Sequence, residues 1–155
     1  MYCWYVRNTY LENNLSISGK TTQCGTPVDF MQIDVPTYVL ASREDHIVPW
    51  QTAYCTTRLV SGDVRFTLAA SRHIAGVINP ASRNKRNFWI DGELGKRPER
   101  WLETAREAPG SWWKDWSAWL RTQAGEQVPA RATLGNAQFS EIEPAPGRYV
   151  TSRAD

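Results

Sequence analysis

The sequence predicts an α/β fold built on a strand–helix–strand unit with parallel strands. Two observations carry this reading. Residues 35–41 and 64–70 are β-rich apolar runs, and a helical segment opening at Pro49 or Trp50 and stopping at Gly62 lies between them. Elements in that order close with a right-handed crossover into a parallel pair. The composition fits one soluble domain, with 155 residues of which 41% are hydrophobic and 22% charged, outside the range of disordered chains.

Residues 1–14 carry Cys3, Tyr5, Val6, Tyr10 and Leu11 at an approximately helical period. Asn13, Asn14, Ser18 and Gly19 end that helix with turn chemistry. Gly25-Thr26-Pro27 reads as a loop. In the first strand, Tyr38, Val39, Leu40 and Ala41 are continuously apolar, as in a strand buried on both faces, and Pro36 is tolerable at its start. A polar loop follows, Ser42-Arg43-Glu44-Asp45-His46, before the helix that reaches about Val60. The second strand leads into the loop Ser71-Arg72-His73, then the small-residue segment Ile74-Ala75-Gly76, ended by Asn79-Pro80.

From residue 84 the chain changes character. A basic, polar stretch with Arg83, Lys85 and Arg86 runs to Gly92 and Gly95, and an amphipathic helix over 98–108 is broken by Pro109-Gly110. Ser111 is a reasonable N-cap for a helix reaching Ala124 and ended by Gly125. Residues 127–155, rich in Pro, Ala and Gly, predict an extended surface tail. Two strands are too few for an independent sheet. The inventory therefore predicts one end of a larger fold, with a strand and helix core over 1–108 and a Trp-rich helix and tail over 109–155.

Charge and cysteine usage exclude several classes. Lys plus Arg number 18 against 16 Asp plus Glu, a net +2 spread along the chain rather than clustered as nucleic-acid binding needs. No apolar run approaches a membrane span. Residues 1–15 lack the apolar stretch of a secretory signal, which predicts a cytoplasmic protein. Cys3, Cys24 and Cys55 form no C-x-x-C pair, so neither a zinc site nor a redox motif is expected, and three reduced, mostly buried thiols are.

In parallel sheets functional groups gather beyond the carboxyl ends of the strands. Both post-strand loops lie on that edge. One offers Asp45 and the other His73, the acid and histidine of a nucleophilic triad with the acid earlier in the chain, as in α/β-hydrolases. Plainer roles compete: Asp45 as a cap for the helix that follows, and His73 as a loop residue bonded to backbone. His46 is adjacent to Asp45, and neighbouring loop residues rarely face one another, so it reads as structural. A nucleophile is missing. An elbow of the G-x-S-x-G or G-x-C-x-G kind needs glycines four apart, and no two of the 10 glycines are so spaced. Among the 8 Trp, Trp112, Trp116 and Trp119 share one helix face with Leu120, a packing stripe ahead of a sugar or lipid platform, with Trp113 facing outward.

The string Arg43-Glu44-Asp45-His46-Ile47-Val48-Pro49-Trp50 resembles the acid-bearing segment of class I poly(3-hydroxyalkanoate) synthases. Residues 71–80 (SRHIAGVINP) resemble the family's histidine segment, and 1–11 (MYCWYVRNTYL), 110–120 (GSWWKDWSAWL) and 143–150 (EPAPGRYV) look like family segments too. The resemblance implies an α/β-hydrolase fold and a Cys-His-Asp triad that polymerises (R)-3-hydroxyacyl-coenzyme A into polyester, releasing coenzyme A. Asp45 matches the triad acid and His73 the triad histidine. The family's nucleophilic cysteine, N-terminal domain and capping insertion lie upstream of anything here, so the chain resembles the C-terminal portion of a synthase. A gene piece, a start placed downstream and a frameshifted copy all fit that reading.

The resemblance thus implies an acyltransferase inactive without its nucleophile, with no cofactor or metal because coenzyme A is part of the substrate. The implied partners are the acyl-coenzyme A substrate, the polyester, and the upstream synthase half or a full-length subunit. The implied location is the cytoplasm and the surface of polymer granules. Two alternatives stand beside it. One is a non-catalytic chain associating with a full-length synthase or with granules; the other is a different hydrolase-type enzyme whose elbow lies on another chain.

Overall fold

The two β-rich runs form the strands that their composition predicts. The computed structural model describes residues 1–153 and divides after Ala124 into two units. In the first unit, α1 (Tyr2–Val6) continues into a turn of π-helix at Arg7–Leu11. A two-stranded hairpin follows, β1 (Thr22–Gln23) against β2 (Thr26–Pro27). Its two-residue turn, Cys24-Gly25, has positive φ at both positions, 49° and 82°, as the twist of a tight hairpin demands. This segment reads as a plain loop in the sequence.

The main sheet contains β3 (Thr37–Ser42), β4 (Val64–Ala69), β5 (Asn87–Ile90) and β6 (Arg106–Pro109), in that spatial order. β3 and β4 are parallel, from Thr37 opposite Val64 to Ser42 opposite Ala69. Between them α2 (Trp50–Tyr54) runs into a turn of 3₁₀ helix at Cys55–Arg58. α3 (His73–Val77) follows β4 directly. After β5 come α4 (Pro98–Thr104), β6 and α5 (Trp113–Gln123).

The strand–helix–strand unit with a parallel pair is as expected, but the sheet is larger than two strands. β5 pairs antiparallel to β4 and β6 antiparallel to β5, and both escape the sequence pattern. β5 lies in the stretch read as polar connection, and β6 in the last turn of the expected 98–108 helix. Pro109 can end β6 because that strand is at the sheet edge, where a missing N–H breaks no ladder. α5 belongs to the same unit as the sheet, not with the tail. The second unit, from Gly125, is mostly irregular, with a bridge between Gly135 and Ser140 and a 3₁₀ turn at Tyr149–Thr151.

Alternation along the strands puts hydrophobic clusters on both faces of the sheet. Ala41, Trp50, Tyr54, Phe66, Leu68 and Trp101 form the larger one. Its centre is aromatic: Phe66 meets Trp101 edge to face at 4.7 Å and Tyr54 at 5.0 Å. Phe88, Ile90 and Ala108 form the second cluster, with Trp112 packed against it. α5 is fixed to the sheet by charge as well. Asp115 accepts from Arg65 Nε at 2.9 Å and from Tyr38 Oη at 2.8 Å. That bond holds the Arg65 guanidinium above its ordinary value, and burial raises the Tyr38 hydroxyl.

Two packing expectations change. Trp112 and Trp119 do face Tyr38, at 6.4 and 5.3 Å between ring centres, but Trp116 and Leu120 remain 38% and 41% exposed. The thiols are free as expected yet not mostly buried: Cys3 and Cys24 are exposed and Cys55 is half-buried. The apolar side chains of the first helical segment are also exposed, Tyr10 at 77% and Leu11 at 74%. Among the described residues, no helix is long and apolar enough to cross a membrane.

Candidate active site

The loops after β3 and β4 leave the same end of the parallel pair and are stitched together by backbone. Arg43 N donates to Ala69 O at 2.8 Å, and Glu44 N to Ser71 O at 3.0 Å. Arg43 also lies over the Trp89 ring, 4.6 Å from its centre, which anchors the acid loop to β5. Ser71 sits at φ 83°, a conformation costly for a residue with a Cβ and held by the surrounding bonds. That bend turns the chain from β4 into α3, so that His73 becomes the first residue of a helix rather than the last of a loop.

These constraints bring Asp45 and His73 together. His73 Nδ1 lies 2.6 Å from Asp45 Oδ2. The other carboxylate oxygen, Oδ1, accepts from the backbone N–H groups of Ile47 at 2.9 Å and Val48 at 3.0 Å. The side chain thus does two jobs. It closes an Asx turn ahead of α2, close to the capping role that competed in the sequence, while its second oxygen orients the histidine. The Val48 N–H, with further help from His73 and Ile47, holds the carboxyl down to about 2. It is an acceptor throughout the neutral range.

Burial separates the partners. The Asp45 side chain is only 9% exposed, whereas His73 is 44% exposed, so the acid is sheltered and the ring faces an approachable surface. A pocket of about 420 Å³ borders them, lined by Leu40, Val48, Ile74, Val77 and Ile78 besides Asp45 and His73. Its walls are largely aliphatic, which suits an acyl chain better than a charged ligand. His46 is exposed and is not among the residues lining this pocket. Cys24 is in the hairpin turn and Cys55 follows α2, so neither is among the lining residues.

The sequence misses what supports the pair from the other side. Trp113, expected to face outward, is half-buried, and its indole N–H donates to Val77 O at 2.9 Å. Ser111, expected as the N-cap of α5, lies one residue before the cap, which is Trp112; fully buried, it accepts from Trp113 N at 3.2 Å and donates to Asn79 O. The available signal is a need for donors, since a short helix ending at Asn79-Pro80 leaves carbonyls unpaired.

Comparison with known proteins places the chain. No family model matches it. It is 57% identical over 153 residues to the poly(3-hydroxyalkanoate) polymerase subunit PhaC of Cupriavidus necator, covering 99% of this chain and 26% of that protein. To the subunit PhaC of Rhizobium etli it is 41% identical over 152 residues, covering 98% and 24%. To poly(3-hydroxyalkanoate) polymerase 2 of Ectopseudomonas oleovorans it is 38% identical over 130 residues, covering 84% and 23%. The chain spans about a quarter of the length of these relatives.

Proposed function

We propose that this chain, which belongs to the poly(3-hydroxyalkanoate) polymerase family, contributes the acid and the histidine of a polyester-forming site on an α/β-hydrolase scaffold. In this reading it is the C-terminal portion of the enzyme, and the nucleophilic cysteine comes from the part of the protein it does not span. One observation carries the reading: the 2.6 Å contact between Asp45 and His73 at the carboxyl end of a parallel strand pair.

The chemistry follows from which atoms are committed. Asp45 fixes Nδ1 of His73 as the protonated nitrogen, leaving Nε2 as the basic one. His73 then takes the proton of the cysteine thiol, and the thiolate attacks the thioester carbonyl of a 3-hydroxyacyl-coenzyme A. The acyl group moves to the cysteine, the bond to the coenzyme A sulfur breaks, and that sulfur leaves with the proton held by His73. Ester formation needs a second general-base step, on the 3-hydroxyl that attacks the next acyl group. Asp45 is poorly suited to it, with both oxygens engaged and its proton affinity low. His73 serves both steps, and Asp45 holds it.

The test is coenzyme A release from 3-hydroxybutyryl-coenzyme A, measured as free thiol. This chain alone stays at background. Mixed with a polypeptide carrying the upstream portion of a homologous polymerase, it supports turnover that His73→Ala abolishes, Asp45→Ala greatly reduces and His46→Ala spares. Full activity from this chain alone would contradict the reading, as would unimpaired activity with His73→Ala.

A further inference from the structure

We propose that Trp112 and Trp113 are positioning residues for His73, clamping the far end of the short helix that presents it. The proposal rests on reading His73 as the general base. It extends that reading to two side chains whose indoles bond to the helix backbone. α3 has only five residues, with His73 first and Val77 last, so it depends on its surroundings for its form. Whatever fixes its last carbonyls therefore fixes the direction in which its first side chain emerges.

Those carbonyls lack their ordinary partners. In a continuing helix Gly76 O would accept from the N–H of residue 80, but Pro80 has none. Val77 O accepts from Asn79 N at 3.0 Å, and the tryptophans supply further donors. Trp112 Nε1 lies 3.1 Å from both Gly76 O and Val77 O, and Trp113 Nε1 lies 2.9 Å from Val77 O. Both indoles are held in turn. Trp112 packs on the cluster of Phe88, Ile90 and Ala108, and the two rings meet edge to face at 6.2 Å. Ser111, immediately before them, ties Asn79 O to the same turn. α3 is also seated on β3 at Gly76, where any Cβ would collide with Ser42 Oγ. The helix is thus fixed at both contacts, and the indole donors are what couple it to the second hydrophobic cluster.

The tautomer of the His73 ring reads this positioning directly. The chain has 2 histidines, so ring-labelled histidine gives two sets of nitrogen signals, with exposed His46 as an internal reference. In the neutral ring the bond to Asp45 enforces the Nδ1–H form, whereas an unconstrained imidazole favours Nε2–H. Asp45→Asn calibrates the loss: it replaces the acceptor facing Nδ1 by a donor and lowers the ratio of the two forms on the order of a thousandfold. W112F and W113F each keep an aromatic ring and remove one donor. Each is expected to lower the ratio at least about threefold, the low end for one hydrogen bond, and the double variant more. Trp119→Phe, which alters another α5 ring, one tilted against Tyr38 of β3, leaves the ratio in place.

An unchanged ratio in both single variants would overturn the proposal. So would an equal shift with Trp119→Phe, since that would signal general loosening. If the double variant does not fold, the single ones decide. No turnover is read, so an error in the polymerase chemistry leaves the result standing. A parent ratio retained in Asp45→Asn would count against the Asp45–His73 reading itself.

Discussion

Asp45→Asn changes one atom and reverses the role of His73. The carboxylate accepts on both oxygens, from Ile47 and Val48 on one and from His73 on the other. A carboxamide can satisfy the two backbone donors with its oxygen, but its NH₂ then points at His73 Nδ1. A donor there forces Nδ1 to accept, which moves the ring proton to Nε2 and removes the lone pair that must receive the thiol proton. In a serine protease triad the same exchange costs about ten-thousandfold in kcat with the geometry intact. A comparable fall, on the order of a thousandfold or more, is expected here because the carboxylate is similarly sheltered, at 9% exposed. The assay is thiol release by the variant chain with the upstream polypeptide, beside the parent and Asp45→Ala. Activity within about tenfold of the parent would refute the argument, because it would mean that the tautomer does not matter.

Acid should remove the contribution of Asp45 to stability in a defined window. Its ordinary value is 3.8, and the Val48 N–H holds it near 2 in the fold. The unfolded chain therefore takes up the proton first, so the contribution is complete above about pH 4 and lost as pH falls through about 2. Denaturant melts of parent and Asp45→Asn should converge over that range, and a constant gap would contradict it. Gly76→Ala places a methyl against Ser42 Oγ and should cost about 1–3 kcal/mol in the same melts, with a loss of activity larger than that of an exposed alanine change. Asp115→Ala removes the partner of Arg65 and Tyr38 and should cost about 1–3 kcal/mol; a neutral result would mean that solvent replaces the pair. The exposed side chains Tyr2, Tyr10 and Leu11 should bind an apolar dye that the upstream polypeptide displaces, whereas no dye signal would argue against a covered face there.

The strand–helix–strand unit was legible because its strands are β-branched, apolar and bounded by Pro36, Gly62 and polar loops. Those same boundaries placed Asp45 and His73 on one sheet edge, which is all that the pairing required. β5 was not legible because Asn87-Phe88-Trp89-Ile90 is only four residues long, and the basic stretch before it looks like a connection. β6 was hidden by its composition: Arg106 and Glu107 continue the polar pattern of α4, and pairing with β5 overrides local preference. The Trp stripe predicted that α5 packs, yet periodicity records which ring faces inward and not where an indole N–H points. Trp113 therefore reads as outward-facing in the sequence, although a donor of this kind seeks a partner when half-buried.

The most direct measurement is of the acyl-enzyme itself. A polypeptide carrying the upstream portion of a homologous polymerase is mixed with this chain and 3-hydroxybutyryl-coenzyme A, quenched in acid, and each polypeptide is weighed by mass spectrometry. An added 3-hydroxybutyryl group is expected on the cysteine of the upstream polypeptide when the parent chain is present, and none when His73→Ala replaces it. An acyl group found instead on Cys24 or Cys55 of this chain, or formed as fast with His73→Ala as with the parent, would contradict the role assigned to His73.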